Sequence, residues 1–96
     1  MIAVLVAKPA HMWTWQMDNQ ADIVQAQRVR NQFTLKDGNT YRLFVVRGSI
    51  DIERLRGYEW DKIIIQYACD DLKWRAYVTL LIRQQLPIDP KRLEYK

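Results

Sequence analysis

Ninety-six residues, 49% of them apolar, with four Trp and five Tyr, supply one hydrophobic core and leave no room for a second domain. Three Gly and three Pro argue against a disordered chain, and the lone Cys69 excludes an internal disulfide and a cysteine-based zinc site, which suits a reducing cytoplasm. The net charge of +4 and pI near 9.4 favour polyanionic partners without requiring one.

In chain order, Ile2 to Ala7 is a continuous apolar run of β-rich composition, read as a central strand over residues 2–7 covered on both faces. It is far short of the about 18 residues that a membrane span needs. With no basic residue ahead of it and Lys8-Pro9 directly behind, it reads as a strand and not a signal peptide. Pro9 suits the first position of a helix over about 9–17, where a missing N–H costs nothing. Trp13 and Trp15 are two apart and cannot share a helical face, so at least one of them is exposed. Ile23, Ala26, Val29 and Arg30 recur at helical spacing behind Asp22, which predicts a short amphipathic helix over 23–31, with a loop as the alternative.

Phe33-Thr-Leu, Lys36-Asp-Gly-Asn and Thr40 to Val46 read as a β-hairpin, because Gly38 supplies the positive φ of a tight turn. The second strand, about 41–46, is expected inside the sheet and the first, about 33–35, at its edge. Ser49 is expected to cap a helix over about 49–56, with Asp51 and Glu53 in its first turn, and Gly57 to end it. A strand over about 61–67 follows. A long helix over about 70–86, capped by Asp70 or Asp71, carries a broad stripe through Leu72, Trp74, Ala76, Val78, Leu80, Leu81 and Ile82. Pro87 stops that helix, and residues 87–96 form a charged tail that lies along the body through Ile88 and Leu93 or frays. The whole predicts one α/β domain over 1–96, in two or three layers, with parallel central strands and one antiparallel edge.

Ligands of such folds bind beyond the carboxyl ends of the strands. There the chain places Lys8, His11, Arg47, Ser49, Asp70 and Asp71. His11 with Asp70 or Asp71 makes a weak acid/base constellation, and helix capping accounts for the two acids as well. No spacing of ligands suggests a metal. The first strand-to-helix loop has no glycine with which to cradle a phosphate, and Arg47-Gly48-Ser49 alone is better read as a turn.

The segment Leu55-Arg-Gly-Tyr-Glu-Trp-Asp-Lys-Ile-Ile-Ile, with the first strand MIAVLVAKP and the Trp-containing helix after it, resembles small bacteriophage proteins that have a degenerate P-loop-NTPase-like core. It is similar to the approach to the second catalytic strand of terminase and helicase motors. The chain has no GxxxxGK[ST] loop, and Gln66-Tyr67 stands where the motors carry an acidic pair. The resemblance therefore implies a phage accessory protein without enzymatic function or cofactor.

Two interaction readings follow. In the first, the chain binds a host or phage protein, or itself, through Trp13, Trp15, Arg47, Arg54, Arg56 and Tyr58, residue types that dominate interface hot spots. In the second, Arg28, Arg30, Arg42, Arg47, Arg54 and Arg56 form a nucleic-acid surface. Alternation puts Tyr41, Leu43 and Val45 on one face of their strand and Arg42 and Phe44 on the other, so convergence of these arginines is left to the fold.

Overall fold

The computed structural model describes residues 1–66 and 72–96. Within them, β1 (Ile2–Val6), β2 (Ile23–Gln27), β3 (Gln32–Leu35), β4 (Thr40–Val45), β5 (Lys62–Ile65) and β6 (Leu93–Tyr95) form one sheet in the order β2-β3-β4-β1-β5-β6. β4, β1, β5 and β6 run parallel, and β3 is antiparallel to both β4 and β2. The helices are α1 (Pro9–Asn19), α2 (Ser49–Glu53) and α3 (Leu72–Gln85). This is a small α/β fold with a mixed sheet.

Every residue of β1 is buried, because helices cover both of its faces. On one face α1 lays Met12 and Trp15 over Val4, Val6, Leu43 and Ile64. On the other, Ile52 of α2 and Val78, Leu81 and Ile82 of α3 close over Ala3, Leu5, Ile63 and Ile65. Each large side chain taken fully out of water contributes about 1.5–3 kcal/mol, so the three central strands carry most of the fold. Two indoles on the α2/α3 face also donate hydrogen bonds, Trp60 Nε1 to the Leu55 carbonyl at 2.9 Å and Trp74 Nε1 to the Val46 carbonyl at 2.7 Å.

The hairpin forms where the Asp-Gly pair predicts it. Gly38 has φ +85°, and Asp37 Oδ1 accepts the Asn39 N–H at 2.8 Å. Gly57 likewise takes a left-handed conformation, at φ +91°, after the turn that follows α2.

Several expectations need correction. Residues 23–31 are not a helix: they form β2 and then a single 3₁₀ turn, Arg28–Arg30. The helical spacing has a specific origin. A register shift between Ile23 and Gln25 leaves Ile23 opposite Leu35 and Ala26 opposite Phe33, so residues three apart share one face of a strand. β3 is consequently an internal strand, and β2 takes the edge.

The tail does lie along the body through Ile88 and Leu93, and it adds a sixth strand beside β5. Ser49 is the first helical residue and does not cap α2; instead Asp51 Oδ2 accepts the Arg47 and Gly48 N–H groups at 2.9 and 3.3 Å. The stripe of α3 is narrower than expected, since Leu72, Ala76 and Leu80 are exposed. Tyr67, Cys69 and the expected caps Asp70 and Asp71 lie outside the described residues.

Candidate functional site

The arginines separate into groups according to the element that carries each one. Arg42 leaves β4 on the α2/α3 face, beside Phe44, as alternation requires. Its guanidinium lies 5.2 Å from the Phe44 ring centroid and 5.6 Å from that of Tyr58, and Nη1 donates to the Tyr58 hydroxyl at 3.3 Å. Phe44 and Tyr58 both rest on buried Trp60, with ring centroids 5.7 and 5.3 Å away. Arg42 is therefore held by two aromatic rings that are themselves packed on a third, which lowers the entropy lost when it contacts a ligand.

Arg30 and Arg54 reach the same place from opposite sides. Arg30 ends the 3₁₀ turn, and Asn31 after it takes φ 51° and ψ 43°, a left-handed conformation that asparagine tolerates. Arg54 follows α2 and sits 3.7 Å from Asp51 Oδ1. Arg30, Arg42, Arg54, Asn31, Phe44 and Asp51 surround an open cleft of about 500 Å³. Among the described residues neither Arg30 nor Arg42 makes an ion pair, so three guanidinium groups face a single carboxylate.

Met12 and Asn31 also line a second, smaller cleft of about 210 Å³ that holds Trp13 and Arg28. Arg28 Nη1 donates to Gln16 Oε1 at 3.3 Å, and Trp13 is 66% exposed. The two clefts make one strip of arginine and aromatic side chains, running from the α1 face around β4 to Tyr58.

Other expected site residues fall away from this strip. Trp15 is 6% exposed and packs between Phe33 and Tyr41 at 5.7 and 5.6 Å, which removes it from any binding surface. Arg56 donates to the Gln85 carbonyl at 2.6 Å and pairs with Glu53 at 3.3 Å, so it fastens α2 to the last residue of α3. It lines a separate cleft of about 460 Å³ with Trp60, Ile88 and Arg92. Arg47 is exposed beyond the end of β4 and lines none of these clefts.

At the carboxyl edge of the sheet, the anion position that Arg47-Gly48-Ser49 would offer is filled by the Asp51 carboxylate. The Ser49 hydroxyl is engaged with the Gln85 side-chain amide at 2.6 Å. His11 is partly buried, and the two acids proposed to act with it lie outside the described residues. Among the described residues no group of His, Cys, Asp and Glu side chains could hold a metal ion, and no helix is long and apolar enough to cross a membrane.

Sequence reasoning missed Val29, which is fully exposed at the cleft, and Asn31, whose turn opens it. An asparagine ending a short polar run was the available signal for such a turn. Comparison with known proteins finds no matching family model, no matching curated protein and no matching solved structure.

Proposed function

We propose that this chain is a non-enzymatic interaction protein that binds a protein partner through the strip of Trp13, Arg28, Arg30, Arg42, Arg54 and Tyr58, and acts by occupying the partner's surface. The observation that carries this reading is Arg42, stacked on Phe44 and Tyr58 and flanked by Arg30 and Arg54 with only Asp51 to compensate them. Preorganised arginines and exposed aromatics are the residues that supply most of the affinity at protein interfaces. The resemblance to degenerate P-loop-like phage proteins supports an accessory role in a bacterial cytoplasm.

A second reading, a nucleic-acid-binding module, draws on the same strip, because arginines beside an exposed indole also suit phosphates and stacked bases. The two readings differ in their response to salt and nuclease. The tagged protein is captured from a bacterial lysate with and without nuclease, at moderate and high salt, beside Trp13→Ala and Arg42→Ala variants whose folding is checked by circular dichroism. A stoichiometric protein that survives both treatments and is lost from the variants supports the protein-partner reading. Material that disappears with nuclease and salt overturns it in favour of nucleic acid.

A further inference from the structure

The step in the sheet beside β4 carries a more specific inference. Val46 N–H donates to the Val6 carbonyl at 2.9 Å, so the even-numbered residues of β4 turn their backbone groups toward β1. Leu43 and Val45 therefore turn theirs toward β3. But β3 starts only at Gln32. The Asn31 carbonyl still accepts the Leu43 N–H at 2.9 Å, while the Asn31 N–H turns back to the Arg28 carbonyl at 3.1 Å. Among the described residues this leaves the Leu43 carbonyl and both the N–H and the carbonyl of Val45 without a hydrogen-bond partner, at the wall of the 500 Å³ cleft. A half-strand of open sheet edge thus faces a cleft that holds three guanidinium groups and one carboxylate.

We propose that this step is a strand-addition site for an extended acidic segment of a protein partner, pairing with Val45 and setting carboxylates on Arg42 and Arg54. The proposal rests on the interaction reading above and names the chemistry of the partner. An incoming strand in line with β3 exchanges two hydrogen bonds with Val45, the first position beyond Asn31 whose backbone groups point outward. Its residue opposite Val45 shares the α1 face, where Val45 packs near Met12 and an apolar side chain fits. The residues on either side of it point to the opposite face, where Arg42 and Arg54 stand. The pattern expected of the partner is acidic-apolar-acidic.

The open carbonyls also disfavour a phosphate at this edge. Leu43 and Val45 present acceptors that require donors, and a phosphate backbone has none to give, whereas a peptide N–H does.

The test uses the full chain and a fluorescein-labelled peptide of alternating Glu and Val, read by polarisation. Its controls are the Lys-Val counterpart, the same Glu-Val peptide N-methylated at its central residue, and a single-stranded oligonucleotide. The Glu-Val peptide is expected to bind and the Lys-Val peptide not to. Affinity should fall about tenfold on N-methylation and about tenfold in Arg42→Ala or Arg54→Ala, as each change removes a hydrogen bond or a charge-assisted contact. Binding indifferent to N-methylation, or displacement of the peptide by the oligonucleotide, overturns strand addition. If no Glu-Val peptide binds while a nuclease-resistant partner is still captured through Trp13 and Arg42, strand addition falls and the interaction reading stands; if neither binds, both fall.

Discussion

The two flanks of the sheet are closed by different means. On the parallel flank, β6 is only three residues long, and side chains tie it down: Glu94 to Lys62 at 2.6 Å, Tyr95 to the Thr79 hydroxyl at 3.0 Å, and Arg75 4.8 Å above the Tyr95 ring. On the antiparallel flank, β2 has five residues and no charged side chain, and it relies on backbone pairing, Ile23 and a bulge. Sheet edges resist unwanted pairing through charge, shortness or a bulge, and this molecule uses the first two on one side and the third on the other. A charged edge responds to pH. A bulged, neutral one does not.

That contrast is broken most directly at Phe33, because the antiparallel flank draws its stability from β3 more than from its edge strand. Phe33→Ala empties a fully buried site beside Trp15 and is expected to cost about 3–5 kcal/mol in urea unfolding. A loss below about 1 kcal/mol would mean that this flank is held by its backbone alone.

The next test is acid. The Lys62 ammonium, hydrogen-bonded to Glu94, holds that carboxyl below its ordinary range, with Lys96 adding to the effect. A depressed folded pKa stabilises the chain above the ordinary glutamate range, and the contribution is lost as pH falls through the folded value. Measured against the intrinsic exchange rate at each pH, amide protection of β6 should therefore fall on acidification while that of β2 stays unchanged, and Glu94→Gln should abolish the difference.

Alkali tests the opposite flank. Burial, and then the hydrogen bond to Asp37, push the Tyr41 phenol up to about 12. A raised folded pKa gives a contribution intact below the ordinary value of 10.0 and lost as pH climbs through about 12. Phenolate absorbance should show a Tyr41 step near pH 12, and Asp37→Asn should lower it. The smallest effect belongs to Gln25→Lys on the exposed β2 edge. Stability should stay within about 0.5 kcal/mol, and self-association at high concentration, followed by light scattering, should fall if the neutral edge is where copies pair.

The same flanks explain what was legible in the sequence. β1 and β5 could be read because strands buried on both faces need unbroken apolar runs, and β3 and β4 because Asp37-Gly38 encodes the hairpin turn between them. Both edge strands were missed. The bulge gave β2 a helical spacing, and Leu93–Tyr95 is too short to show any period. At the site, the arginines were visible as residue types, but their meeting was not. It depends on the left-handed turn at Asn31, on the end of β3, and on Tyr58 returning from beyond α2 to stack on Arg42. Trp13 and Trp15 were correctly expected to point apart, yet only the packed structure shows Trp15 as the buried one.

The position of β1 has a kinetic consequence. The strand at the centre of the sheet is made before both of its neighbours, and it must wait for partners at Tyr41–Val45 and Lys62–Ile65. The β3–β4 hairpin closes a short loop and can form within about 1–10 μs, but the parallel pairs need distant closure and come late. At about 5–20 residues per second of synthesis, β1 spends seconds as an apolar strand with no neighbour. Order of synthesis and order of assembly thus run against each other, and a chain halted before Ile65 leaves this apolar strand uncovered on one edge.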